Sequence, residues 1–592
     1  MSPVTDFLPP SLLTASGRKR RRSQEAAEED EPANTLPSAA DDTDKHSVGF
    51  YLNRLAGLGV PDLTTPASHL SLCISLSDIF SDGTFYGCQA ARRVWMAQQG
   101  IDRVPAHFPG IVDALLANYI TDYTDAFLFE RCPSLYQATG RLLFLSGDSA
   151  GAVAAQAAWM RAHLGELADR TAIVRLTGLF RAPDPETDTP SSVAGGGVHH
   201  SKFMLLHLAD GRLRLVIHTA NDIEYDWVHK CQGVFVHDLC LAPAACSAPP
   251  GTMGHGLVRY LSAYVQAARA SMQSARPRLV SAGGAAALRD GMSVFVRLVQ
   301  RADFRALAHM HVVASVPGWH AMREAQPAPF GYPALATLVG TAALRQRSPA
   351  TRLIIQCSSL SSADMSASVS SAGAAAAGPW FTRQFLAALM PAAATASVHL
   401  MWPTVEQVRS SLEGYHSGIG LLASAKVFTD RPSLSLPAYL TAWNAEWSHR
   451  QRIMPHIKTI AACRGDNGEC DYCYLGSANA TPAAWGALQR QGQSLRCMNW
   501  ELGVLWVSAA GDYSTNAPLL WHARDAPRGP PDPTDRRSYR LLPLPYDTAE
   551  AALARYRRGR DQPWVSDRLE LLPDAAEDAV NYAGGGVSGR PK

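Results

Sequence analysis

One arrangement of residues is written twice in this chain. From Val198 to Gly233 a His-x-Lys pair, His200 and Lys202, is followed by Asn221, by Trp227 six residues later, and by Gln232-Gly233-Val234. From Pro455 to Val504 the order returns as His456, Lys458, Asn479, Trp485 (again six residues after the Asn), Glu501 and Gly503-Val504. A single His-x-Lys is common, and a single strand histidine is usually a core or surface residue. Two copies with matching followers are a different matter. They imply two similar structural units, each carrying the same polar set.

Residues two apart share a face of a β-strand. His200 and Lys202 are therefore predicted to stand side by side on a strand, with Met204 and Leu206 carrying that face into a core. Ala209-Asp210-Gly211 is a hairpin signal. Leu213 to Ala220 reads as the returning strand, and Asn221 falls at its end, where a side chain reaches a cleft. In the second copy Met454 to Ile460 and Tyr472 to Asn479 take the same two parts, and Thr481-Pro482 reads as the N-cap and first position of a helix.

Each half contributes an imidazole, an ammonium and an amide. Face to face, they form a pocket suited to a phosphodiester. Lys202, Lys458, Asn221 and Asn479 hold the non-bridging oxygens and stabilise charge building on them. One imidazole attacks phosphorus; the other protonates the leaving oxygen and then activates water. Lys is rarely buried without a partner, so two of them beside His on core-like strands argue for an anionic ligand. The lysines supply the positive charge a metal would bring, and no cofactor is expected.

The stretches HHSKFMLL, LVIHTAN, SLEGY, MPHIKT, SANATPAAWGAL and WELGVLWV together resemble the tyrosyl-DNA phosphodiesterase family, a branch of the phospholipase D superfamily. The resemblance runs from about Phe50 to Trp564. The wider superfamily carries His-x-Lys-x4-Asp; here the Asp positions hold His207 and Cys463, a loss in both halves that is typical of the tyrosyl-DNA branch. The resemblance implies an α/β fold of two similar α/β/α sandwich domains related by pseudo-twofold symmetry. It implies that His200 is the nucleophile, forming a covalent phosphohistidine, and His456 the general acid and then base; on the residues alone, the near symmetry of the copies leaves that order open. The implied substrate is the 3′-phosphotyrosyl bond between DNA and a topoisomerase I-derived peptide, along with other 3′-blocked ends of single- or double-stranded DNA. Ser358 and Ser359 are then expected beside the phosphate or DNA backbone, although a strand-end serine also caps its own turn. Arg409, Tyr415 and Thr481 are expected along the cleft. Where the family stacks an aromatic on a base, this chain has Gly195-Gly196-Gly197.

Glu501 is acidic where its counterpart Gln232 is neutral. A carboxylate fixes an imidazole's tautomer and raises its basicity, whereas an amide orients a ring without holding it charged. The expected pairing is Glu501 with His200 and Gln232 with His456, across the junction of the halves.

The rest of the chain frames these motifs. Its 592 residues suffice for two domains, and alternating strand and helix signals favour an α/β sandwich. The division is placed near Ala306 to His309, giving residues 47–307 and 308–592. A net charge of +2 means that any nucleic-acid footprint is a local patch. No apolar run is long enough to span a bilayer, so no membrane partner is expected, and the N-terminus lacks a signal-peptide core. Residues 1–46 have the composition of a solvated tail. Their Arg18-Lys19-Arg20-Arg21-Arg22 run reads as a nuclear localisation signal. Ser361 to Gly378 reads as a low-complexity loop, and the chain is expected to fray after about Pro573. Eleven cysteines without framework spacing fit reduced thiols. Cys463, Cys470 and Cys473 would need a fourth ligand such as Cys497 to hold zinc; lacking the usual two Cys pairs, they read as incidental thiols near a hairpin tip. A monomer is expected. Other readings of the same residues are a phosphodiesterase acting on lipid, 5′ ends or RNA ends, and a non-catalytic DNA-end-binding protein.

Overall fold

The computed structural model describes residues 49–55, 73–80, 109–176, 197–244, 249, 251–273, 282–322, 330–340, 352–360, 380–390, 396–428, 436–466, 468–508, 519–522, 539–557 and 560–566. The N-terminal tail with its basic run, Gly195 and Gly196, the Ser361 to Gly378 stretch and the chain beyond Pro573 lie outside these residues.

The strands of the first half are β1 (Phe50–Asn53), β2 (Cys73–Ile74), β3 (Ile111–Asn118), β4 (Leu142–Ser146), β5 (Thr171–Arg175), β6 (Phe203–Leu208), β7 (Arg212–His218) and β8 (Gly233–Cys240). They form one sheet in the order β2-β1-β8-β7-β6-β3-β4-β5. Two helices, Met253–Gln273 and Ala282–Arg301, pack on each other and lead into the second half. There the chain runs through β9 (Met310–Ser315), β10 (Gly318–Ala321), β11 (Arg352–Gln356), β12 (Ser359–Leu360), β13 (Ser397–Met401), β14 (Leu422–Ala423), β15 (Leu440–Thr441), β16 (Thr459–Cys463), β17 (Glu469–Gly476), β18 (Ala487–Gln489), β19 (Ser494–Cys497) and β20 (Glu501–Val507). The main sheet of this half has the order β15-β13-β11-β16-β17-β20-β9, and two later strands extend it beside β17.

The two orders are one permutation. Strand by strand, β1-β8-β7-β6-β3-β4-β5 matches β9-β20-β17-β16-β11-β13-β15. In each, three strands run parallel (β3, β4, β5; β11, β13, β15) and the others pair antiparallel. Parallel neighbours need a crossover, which helix Ala150–His163 supplies between β4 and β5. The repeated motif is thus a repeated topology, with the hairpins β6–β7 and β16–β17 at the centre of each sheet.

Local chemistry explains the hairpin. Gly211 turns the chain at φ 83°, a conformation that suits glycine. Every residue of β7 is buried, including Arg212 and Arg214. Buried guanidinium groups need partners; here both bond Asp238 of β8, Arg212 Nη1 at 2.6 Å and Arg214 Nε at 2.8 Å.

One apolar core runs through both halves. At the junction Phe50 stacks on Trp506 (5.5 Å, 18°), with Phe235 edge-on to the same indole. A Cβ on Gly233 would lie 2.6 Å from Leu475 Cδ1 and 2.8 Å from Ile457 Cδ1, and one on Gly503 only 2.2 Å from the Tyr474 ring. The glycine of each Gly-Val pair therefore stands where no side chain fits.

One expectation needs correcting. The His-x-Lys pairs do not lie within strands: β6 begins at Phe203 and β16 at Thr459, so both pairs sit in the extended segments just ahead. The lysine carbonyls still join their own hairpins, Lys202 accepting from the His218 N–H (3.0 Å) and Lys458 from the Gly476 N–H (3.3 Å), but the backbone at each histidine pairs with the opposite half. The His200 N–H donates to the Trp500 carbonyl (3.0 Å), and the Trp500 N–H to that of Val198 (3.0 Å). Symmetrically, the His456 and Ile457 N–H groups donate to the Cys231 carbonyl (2.9 and 2.8 Å), and the Cys231 N–H to that of Met454 (3.1 Å). The returning strand β7 likewise stops early, at His218, and Asn221 lies beyond it.

Candidate active site

These exchanged bridges determine which side chains meet. Trp500 precedes Glu501, and Cys231 precedes Gln232, so each bridge delivers its neighbour to the imidazole of the other half. His200 Nδ1 lies 3.0 Å from Glu501 Oε2. The carboxylate is itself held: Ser477 Oγ donates to Oε2 (2.5 Å) and Asn499 Nδ2 to Oε1 (3.1 Å). With Nδ1–H donated to a carboxylate, His200 keeps its Nε2 lone pair for a substrate. Tyr119 flanks the ring at 5.4 Å between centroids.

His456 Nδ1 has two neighbours, Gln232 Nε2 at 3.2 Å and Asp226 Oδ2 at 3.3 Å. The Gln232 amide is fixed by its other bonds. Its Oε1 accepts from Thr219 Oγ1 (2.7 Å), and its Nε2 donates to the Asp226 carbonyl (3.1 Å). Asp226 Oδ2 also accepts from the Asn221 N–H at 2.6 Å.

The cations and amides repeat the symmetry. Lys202 Nζ donates to the carbonyl of His200 (2.9 Å), and Lys458 Nζ to that of His456. Asn479 Oδ1 accepts from the N–H groups of Ser358 (2.9 Å) and Ser359 (3.1 Å), and Asn221 Oδ1 from that of Ile120 (3.4 Å). An amide whose oxygen is held in this way offers its Nδ2 hydrogens on the other side.

Burial and mutual repulsion shape the charges. Burial lowers the His200 imidazole from its usual pKa; Glu501 opposes this, and Lys202 and Lys458 add to it. His456 falls well below the ordinary imidazole value through burial, then through Lys458, Lys202 and His200. Burial brings Lys202 down to about 8, and Lys458 is lowered strongly by burial and by Lys202. For Glu501, burial alone would raise the carboxyl, but His200, Ser477 and Lys202 outweigh it and hold it below the glutamate range. The central groups of the two halves thus feel one another's charge, and Glu501 and Asp226 are the carboxylates that oppose the lowering of both lysines.

A sequence model of the family described as tyrosyl-DNA phosphodiesterase matches residues 189–552, more than half of the chain and a span that contains both motifs. The chain belongs to the tyrosyl-DNA phosphodiesterase family. It is 30% identical over 312 residues to tyrosyl-DNA phosphodiesterase 1 of Arabidopsis thaliana, covering 52% of this chain and 47% of that protein. It is 26% identical over 322 residues to a probable tyrosyl-DNA phosphodiesterase of Caenorhabditis elegans, covering 52% of this chain and 62% of that one. The matched stretch thus spans about half to three-fifths of these relatives. Among solved structures, yeast tyrosyl-DNA phosphodiesterase superposes with a TM-score of 0.54 at 14% identity, over 88% of this chain and 99% of that chain. That likeness gives the fold, two phospholipase D-like halves.

The other residues expected along the cleft of a tyrosyl-DNA phosphodiesterase fall in varied places. Ser358 is buried, and its Oγ and N–H both point to Asn479 Oδ1, which makes it a support for that amide. Ser359 supports it too, through its N–H. Thr481 caps helix Pro482–Trp485 with its hydroxyl, as its sequence predicts, and is itself buried. Tyr415 stacks on Trp564 at 6.2 Å. Arg409 pairs with Glu406 at 2.8 Å, as exposed residues one helical turn apart. Cys463 and Cys470 face each other across β16 and β17 with sulfurs 3.3 Å apart, and no metal-binding cluster of His, Cys, Asp or Glu occurs among the described residues.

Two residues have no role in the sequence reading, although the Asp226-Trp227 pair is among the stretches that resemble the family. Tyr119 ends no motif and is placed only by the packing of β3 beside β6. Asp226 left a trace: it stands immediately before the repeated Trp, where the second copy has Ala484. A departure from the repeat within a motif is a usable signal.

Proposed function

We propose that this chain hydrolyses 3′-phosphotyrosyl DNA, a link of the kind left by topoisomerase I, and other 3′-blocked DNA ends through a covalent phosphohistidine. The observation that carries the proposal is the pairing across the halves: each imidazole has its Nδ1 side engaged by the opposite half, leaving two Nε2 atoms for one phosphorus. Lys202, Lys458, Asn221 and Asn479 surround the non-bridging oxygens and stabilise charge developing on them. Burial and then the lysine charges depress His456; the substrate anion offsets the lysine charges and so favours its imidazolium once bound. His200 Nε2 attacks phosphorus and the bond to the tyrosyl oxygen breaks, with the His456 Nε2 proton passing to that oxygen. Water then attacks the phosphohistidine, its proton goes to His456 Nε2, and the N–P bond breaks to leave a 3′-phosphate. One chain supplies both halves, so the proposal needs no second copy. The Arg18–Arg22 run is the ground for proposing that the protein works in the nucleus.

A 3′-phosphotyrosyl oligonucleotide incubated with the protein in excess EDTA tests this directly. Release of a 3′-phosphate strand is expected; a reaction abolished by the chelator would sink the lysine-based scheme. Glu501→Gln gives a second test. Both Glu501 oxygens accept hydrogen bonds, so an amide nitrogen in either place faces a donor. Adduct formation in single turnover is expected to slow by about tenfold or more, and an unchanged rate would remove Glu501 as the partner of the nucleophile.

A further inference from the structure

The neighbours of His456 do not suit its two tasks equally. A ring that gives and takes a proton at Nε2 keeps its other hydrogen on Nδ1 throughout, both as the imidazolium acid and as the neutral base. That Nδ1–H needs an acceptor. Gln232 cannot be one: its oxygen is held by the Thr219 hydroxyl, which in turn accepts from the Gly233 N–H at 3.0 Å. Turning the amide over would bring that oxygen against the Asp226 carbonyl, where Nε2 now donates. The group that remains is Asp226 Oδ2, 3.3 Å away and all but inaccessible to solvent.

We propose that Asp226, rather than Gln232, is the positioning residue that holds the Nδ1 hydrogen of His456 through both proton transfers. The inference rests on the phosphodiesterase reading above and refines it. The difference between Glu501 and Gln232 in the sequence then disappears in space, because each imidazole has a buried carboxylate on Nδ1. Glu501 reaches His200 from the second half and Asp226 reaches His456 from the first.

The charges around Asp226 are consistent with this. Burial raises its carboxyl, while the Asn221 N–H, Lys458, Lys202 and Lys230 work to keep it ionised. Lys230 is itself buried and brought down to about 8 by that burial. Helix Glu224–His229 carries Asp226 and begins three residues after Asn221, so the carboxylate arrives with the motif that binds the phosphoryl oxygens.

The chemistry is explicit about what loss of the acceptor does. In Asp226→Ala no acceptor remains beside Nδ1, and the Gln232 Nε2 donor is left as its neighbour there. The ring is driven to the Nε2–H tautomer, which is a poor acid and cannot act as a base there. The test compares two 3′ esters of one oligonucleotide. The tyrosyl ester needs its leaving oxygen protonated, whereas the 4-nitrophenyl ester departs as a stable phenolate. With Asp226→Ala, adduct formation from the tyrosyl ester is expected to fall about a hundredfold or more. From the nitrophenyl ester it should fall far less, giving a burst of nitrophenol followed by a persistent protein–DNA adduct. Equal losses on both esters, or no loss on the tyrosyl ester, would overturn the assignment while the wild-type reaction still supports the function. A wild-type protein that cleaves neither ester would overturn both. Should Asp226→Ala fail a thermal-melt check of folding, Gln232→Met decides: its ratio of rates on the two esters should match the wild type, and a raised ratio returns the role to Gln232.

Discussion

His200→Ala protein forms no covalent adduct with a 3′-phosphotyrosyl oligonucleotide, and its turnover falls by at least about four orders of magnitude, comparable to loss of other catalytic nucleophiles. That corresponds to about 5 kcal/mol of transition-state stabilisation. The size follows from the site. Burial and two lysines keep the ring neutral, and Glu501 holds its Nδ1 side, so the attacking nitrogen is in the right protonation state with its orientation set. The other motif imidazole bonded across the halves is His456, and its Nδ1 partners suit it to carrying a proton. Alanine leaves Lys202, Lys458 and the two Asn in place, so DNA-end affinity should be retained. Denaturing gels for the adduct and single-turnover rates for the chemistry check the prediction. Turnover unchanged from the wild type would mean that the pocket binds without His200 acting as nucleophile.

His456→Asn has the opposite signature. The first step still occurs with a reactive leaving group, but release of the phosphohistidine slows by about two to four orders of magnitude, the usual contribution of a general base. Covalent protein–DNA adduct therefore accumulates and survives denaturation. Asparagine can still bond Asp226 or Gln232, and a thermal melt beside the gel separates a folding defect from a chemical one. If the nitrophenyl ester is attacked rapidly and no adduct is ever seen, the two-step scheme fails. Read together, the two variants order the histidines, which the near-identity of the two copies could not do.

Much of the fold was legible because its signals are local. The period of two, the Asp210-Gly211 turn and the Thr481-Pro482 cap each involve neighbours in the chain, and each yields the expected element. The duplication carried further, since matching motifs at the same spacing have matching strand orders. The strand begins after His200 and Lys202: the Lys202 carbonyl still bonds its own hairpin, but the His200 N–H turns to the other half, and a local pattern does not say where an extended segment changes partner.

By itself the sequence determined that two equivalent units exist, that each brings an imidazole, an ammonium and an amide, and that the set suits a phosphate. Those are properties of residue type and short spacing. Only the tertiary structure decided which acid serves which imidazole. His200 and Glu501 lie 301 positions apart and His456 and Gln232 lie 224 apart, and they meet because the halves exchange backbone hydrogen bonds beside each motif. It also brought Asp226 to His456, a contact that depends on how a short helix of one half sits against a loop of the other. No periodicity along the chain encodes that docking, because it is set by the shape of the shared core.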